Sequence, residues 1–124
     1  MGKDFHYTIL PFIEKALDGH DKVKMFRKEE TDENIFYSIK RYGKSDIRIW
    51  ISDTYIFTIN DYFQKPKGID FIYIAKPEAK YNQDEVVEAA YRDGINIGKF
   101  GALMGVLYVN DIKKYIPKER RDNE

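Results

Sequence analysis

Cysteine is absent from the chain, which removes disulfide staples, thiolate zinc sites and a cysteine nucleophile from consideration. Long hydrophobic runs are absent too: no stretch approaches the roughly 18 uninterrupted apolar residues of a membrane helix. Net charge is missing, since 21 Lys and Arg balance 21 Asp and Glu, so no basic excess advertises a polyanion through counterion release. Histidine is scarce. His6 and His20 flank the first helical pattern, too far apart for a metal pair carried on one helix, and they read as surface or capping residues. No Gly-x-Ser-x-Gly elbow occurs, and Ser38, Ser45 and Ser52 fall in strand or turn patterns, so nothing supports a serine nucleophile. The opening residues carry charge, His6 and Pro11 where a signal peptide keeps an apolar core, and the expectation is a cytoplasmic protein with no membrane partner.

What is present fits a single globular domain over residues 1–124, a length that buries about two-thirds of its unfolded surface. The abundance of Tyr, Ile, Lys and Glu suits a thermophile. Charge is unevenly spread. Residues 28–34 are acidic, and the end carries Lys113, Lys114, Lys118, Arg120 and Arg121, with residues 117–124 expected to form a frayed, solvated tail.

Ile9, Phe12, Ile13, Ala16 and Leu17 recur at helical spacing and predict a helix over residues 8–18. Strand patterns follow at residues 22–27, 35–40, 47–51 and 55–59, read as an antiparallel meander in which Ile47, Ile49 and Ile51 face one way and Arg48 and Trp50 the other. Residues 71–75 are continuously apolar, as a strand covered on both faces should be. A cap at residues 82–84 introduces a helix over 85–93, with Val86, Val87, Ala90 and Tyr91 inward, and residues 106–109 read as a further strand. Strand, helix and strand in that order imply a parallel pair. The expected fold is α/β (α+β): a mixed sheet of five to seven strands, an N-terminal helix and a second helix in the crossover. Within it, Gly98-Lys99-Phe100-Gly101 follows a helix and enters a strand, the reverse of a phosphate-binding loop, and reads as a flexible turn.

This order of helix, meander and strand-helix-strand, with Ser45-Asp46-Ile47 opening one strand, resembles the restriction-endonuclease-like superfamily. That resemblance implies a metal-dependent nuclease or its inactive relative, with an acid on the first helix, an acid opening a strand, and an acid-x-lysine motif on the next. Glu14, Asp46, Asp61 and Lys65 are the matching candidates for catalysis, Asp46 and Asp61 for Mg²⁺. The acid-x-lysine is missing from residues 57–61, and the literal Glu78-Ala79-Lys80, preceded by Asp70, sits beyond Pro77 in a loop. The implied site is therefore rearranged or dead. Tyr91-Arg92-Asp93-Gly94-Ile95 with Gly98-Lys99-Phe100-Gly101 is also similar to a stretch of the archaeal tRNA-splicing endonuclease catalytic domain, although no histidine lies beyond His20. Because net charge is zero, nucleic-acid affinity needs a local patch, for which Arg41, Lys44, Arg48, Lys65 and Lys67 are the candidates. The alternative is a small viral or regulatory module that binds a protein partner or a second copy through Tyr42, Trp50, Tyr62 and Phe63, at least half of which are expected in the core.

Overall fold

The computed structural model describes residues 8–120. Helix α1 (Ile9–Asp18) leads into three strands, β1 (Val23–Glu30), β2 (Ile35–Arg41) and β3 (Lys44–Ser52). The chain then makes β4 (Ile56–Phe57) and α2 (Ile59–Phe63) before β5 (Phe71–Ile74), and β6 (Lys80–Tyr81) and α3 (Glu85–Arg92) before β7 (Asn96–Gly98). It ends on α4 (Phe100–Val106) and two 3-10 turns, Ile112–Lys114 and Lys118–Arg120. Five strands form one mixed sheet in the order β1-β2-β3-β5-β7, while β4 and β6 pair separately.

The meander is antiparallel because short loops join its strands; Tyr42-Gly43 turns β2 into β3, with Gly43 at a φ of 69° that favours glycine. Beyond β3 the connections lengthen, and β3, β5 and β7 run parallel. Both crossovers lie on one face of the sheet, as expected when strands are added in one direction with constant handedness. On that face Tyr62 of α2 and Val86, Ala89 and Ala90 of α3 pack with Phe36, Ile72 and Ile97. The other face takes α1 and α4, where Ile13, Leu17, Leu103 and Val106 meet Tyr37, Ile49, Phe71 and Tyr73. All four residues of β5 are buried, so the two-sided apolar run is an interior strand, each large side chain contributing about 1.5–3 kcal/mol.

The strand expected at residues 106–109 does not exist. Ala102, Leu103, Val106 and Leu107 are buried at helical spacing, so this apolar run is the inner stripe and exit of α4. β5 instead takes β7, only three residues long, as its outer neighbour. Residues 55–59 also differ from the reading: β4 is two residues, and Thr58 starts α2 through a capping box in which Thr58 Oγ1 accepts from Asp61 N–H and Asp61 Oδ2 accepts from Thr58 N–H at 2.8 Å. Tyr91, expected inward, is largely exposed.

The outer side of β7 is covered. Asn96 Nδ2 donates to the carbonyls of Ile112 and Tyr115, each at 2.8 Å, and Arg120 donates to Ile97 O and Asn96 Oδ1. Pro117 is buried, so the residues expected to fray are docked as far as Arg120; His6, Arg121 and the rest of the tail lie outside the described residues. His20 serves as a capping residue, Nε2 lying 3.2 Å from Met104 O in α4 and Nδ1 accepting from Lys22 N–H.

Candidate functional site

At the carboxyl ends of β3, β5 and β7 the three chains leave the sheet in different directions, and between their exits lies a cleft of about 670 Å³. In open sheets with parallel strands this is where crevices form. Pro77 ends the β5 exit, Lys99 stands at the turn from β7 into α4, and Tyr55 comes from the connection after β3. The first turns of α1 contribute Thr8, Ile9 and Phe12.

Two lysines are fixed at the rim by backbone carbonyls. Lys76 Nζ donates to Asp53 O at 2.6 Å and lies 4.8 Å from the centre of the Tyr55 ring; Lys99 Nζ donates to Pro77 O at 2.8 Å. Each bond ties one strand exit to the next, which positions the charge. The walls are aromatic: Phe12 and Phe100 pack with ring centres 4.8 Å apart, and the Tyr73 hydroxyl is pushed up to about 12 by burial. A smaller hollow of about 290 Å³ adjoins through Lys99 and adds Lys80 and Tyr81. Among the described residues of these two linings there are three lysines, Lys76, Lys80 and Lys99, and one acid, Glu78, beside the aromatic walls.

The residues singled out from the sequence lie elsewhere and are not gathered. Glu14 accepts a 2.7 Å hydrogen bond from Tyr37, whose hydroxyl is held protonated by burial and by that carboxylate, and Tyr37 pairs across the strands with Ile49. Asp46 opens β3 and meets Lys40 at 3.2 Å on the surface. Asp61 caps α2 beside Trp50, near the other end of β3, roughly 13 Å along the strand from Asp46 at about 3.3 Å per residue. Lys65 lies 4.0 Å from the Tyr62 ring centre and 4.0 Å from Asp93. Among the described residues no group of three or more His, Asp or Glu side chains stands close enough to share a metal ion. Of the literal motif, Glu78 sits at the cleft rim and Lys80 in β6, while the Asp70 carboxylate accepts from Arg48 N–H at 2.9 Å.

The nominated basic patch is divided in the same way. Arg41 is buried, its Nη1 donating to the carbonyls of Val106, Leu107 and Val109 and its Nε to Ser45 O, so it closes the end of α4 rather than facing solvent. Arg48 pairs with Glu29 at 2.9 Å and lies over the Phe36 ring. Lys44 is half-buried and Lys67 exposed. Of the four aromatics nominated for a partner, Tyr62 is core and Trp50 half-buried, whereas Tyr42 and Phe63 are exposed.

The cleft is hidden in the sequence because Gly98-Lys99-Phe100-Gly101 reads as a turn between a helix and a strand. The signal was there in Ala102, Leu103, Val106 and Leu107, whose helical spacing reverses that order to strand then helix. No family model, characterised protein or solved structure matches this chain.

Proposed function

We propose that this chain binds single-stranded nucleic acid, without a hydrolytic centre of its own, in the lysine-rimmed cleft at the carboxyl ends of β3, β5 and β7. The observation that carries the reading is the combination of Lys76 and Lys99 with the rings of Phe12, Tyr55 and Phe100 in one cleft, with Lys80 in the hollow that adjoins it. Positive charge tracks a phosphate backbone, and aromatic rings offer stacking surfaces to bases of any sequence. Binding rather than cleavage is favoured because Glu14, Asp46 and Asp61 each have a separate structural partner.

The test is fluorescence anisotropy of labelled single-stranded DNA and RNA oligonucleotides over a salt series. Affinity should fall with salt by about 0.7 log unit per log unit of salt for each phosphate contacted, and Lys76→Ala with Lys99→Ala should lower that slope by about 1.4. Lys44→Ala with Lys67→Ala should leave it unchanged. Absence of binding at low salt would overturn the reading and favour a protein partner or a second copy, met through exposed apolar side chains such as Ile56 and Phe63, 65% and 69% exposed.

A further inference from the structure

A second cleft, of about 380 Å³, opens on the far side of the β3 exit, where the β1–β2 turn meets the start of α2. Its lining includes Trp50, the single tryptophan of the chain and half-buried. That ring is held on two sides: Nε1–H donates to Asn34 Oδ1 at 3.0 Å, and Phe57 meets it edge-on with ring centres 6.1 Å apart. A ring fixed before a ligand arrives loses little freedom on binding.

Besides Asn34, four polar side chains line the cleft: Glu33, Thr54, Asp61 and Gln64. The Glu33 carboxylate, the Thr54 hydroxyl and the Gln64 amide make no hydrogen bond among the described residues, and Asp61 commits only Oδ2, to Thr58. Elsewhere on the same face of the sheet the polar side chains saturate one another; Glu29 alone accepts from Arg27, Ser38 and Arg48. The composition of the cleft selects among ligands. Two carboxylates with no cation in the lining repel an anion, and an apolar ligand would strip water from those carboxylates without replacing its hydrogen bonds. A simple cation would engage the carboxylates but leave Gln64 and Thr54 without a role. Strong acceptors, a donor-acceptor amide and a hydroxyl around one aromatic face complement a ring bearing several hydroxyl groups, whose C–H face can lie on the indole.

We propose that the Trp50 cleft is a saccharide-binding site, in which a sugar ring lies on Trp50 and its hydroxyls are read by Glu33, Thr54, Asp61 and Gln64. This site is separate from the lysine-rimmed cleft and does not depend on the nucleic-acid reading.

Because Trp50 is the only tryptophan, its emission reports on the site directly. The full chain should be titrated with glucose, galactose, mannose and N-acetylglucosamine, then with disaccharides of each, following that emission and the NMR signal of the indole N–H. At least one sugar should give a saturable change in both, in roughly the millimolar range that a few solvent-accessible hydrogen bonds and one aromatic face supply. Glu33→Gln and Gln64→Ala should each weaken it by roughly threefold to tenfold, and Lys76→Ala with Lys99→Ala should leave it unaltered. No saturable response to any of these sugars would overturn the proposal. So would a response to choline or spermidine with none to sugars, which would make the cleft a cation site.

Discussion

Along β1, β2 and β3 the polar side chains are spent on closing the fold, whereas at the exits of β3, β5 and β7 they stand at the edge of an open cleft. In the first region Glu29 takes bonds from three neighbours and Arg41 fills the carbonyls at the end of α4. In the second, Lys76 and Lys99 hold Asp53 O and Pro77 O at the rim of about 670 Å³ of space. Topology explains the difference. Between adjacent antiparallel strands the polar groups meet in register, while parallel strands must each leave by a crossover and their exits diverge. The middle of the meander is closed on itself, and open space is left at the strand exits, in the lysine-rimmed cleft and in the Trp50 cleft.

The sharpest way to break that contrast is Arg41→Met. It removes the donors to three carbonyls of the α4 exit and to Ser45 O, and should cost about 2–4 kcal/mol in urea unfolding, whereas Lys76→Ala should stay within about 0.5 kcal/mol. Equal costs would erase the contrast between polar groups that close the fold and lysines that stand at an open rim. Next in size is Gly105→Ala, where a Cβ would stand 2.0 Å from the Tyr115 Oη and 2.4 Å from its Cζ. Alanine should gain about 1 kcal/mol of helix propensity, yet crowding of about 1–3 kcal/mol should outweigh it. Adding Tyr115→Ala should restore part of the loss, a coupling that separate single-variant melts would expose.

The smallest effect concerns acid. Hydrogen bonds from Arg27, then Ser38 and Arg48, lower Glu29 from the ordinary 4.5 to about 2. A carboxyl depressed in the folded state adds stability above its unfolded value and loses it as pH falls toward the folded one. The stability difference between the wild-type chain and Glu29→Gln should therefore shrink between about pH 5 and pH 2. A constant difference over that range would show that the Glu29 bonds do not distinguish its charged form.

Much of the fold was legible because its signals are periodic. Ile47, Ile49 and Ile51 announce one buried face, Phe71 to Ile74 announce two, and both elements stand where the alternation puts them. What was illegible depended on the competition between local and tertiary signals. Val106 to Val109 is β-branched and aromatic, yet Ala102 and Leu103 extend its apolar spacing into a helix that packs on β5. Thr58 and Asp61 carry a capping box inside a stretch otherwise rich in strand formers. The site suffered most, because a lysine at a strand exit looks like any surface lysine until the neighbouring exits are known. Nothing in the local sequence around Lys76 states that Asp53 O will hold it.

The two rims of the sheet are defended by different means, and so they are exposed to different threats. On β1 the guard is ionic, with Lys24, Arg27, Lys28, Glu29 and Glu30 placed along a strand whose outer side has no partner strand among the described residues. On β7 it is mechanical: the Asn96 amide and the Arg120 guanidinium pin the last turns over three residues of backbone. Salt reaches the first defence and a protease the second. A cut after Tyr108 would strip the cover from β7 and leave a bare template for strand addition, while concentrated salt would only screen the charges on β1.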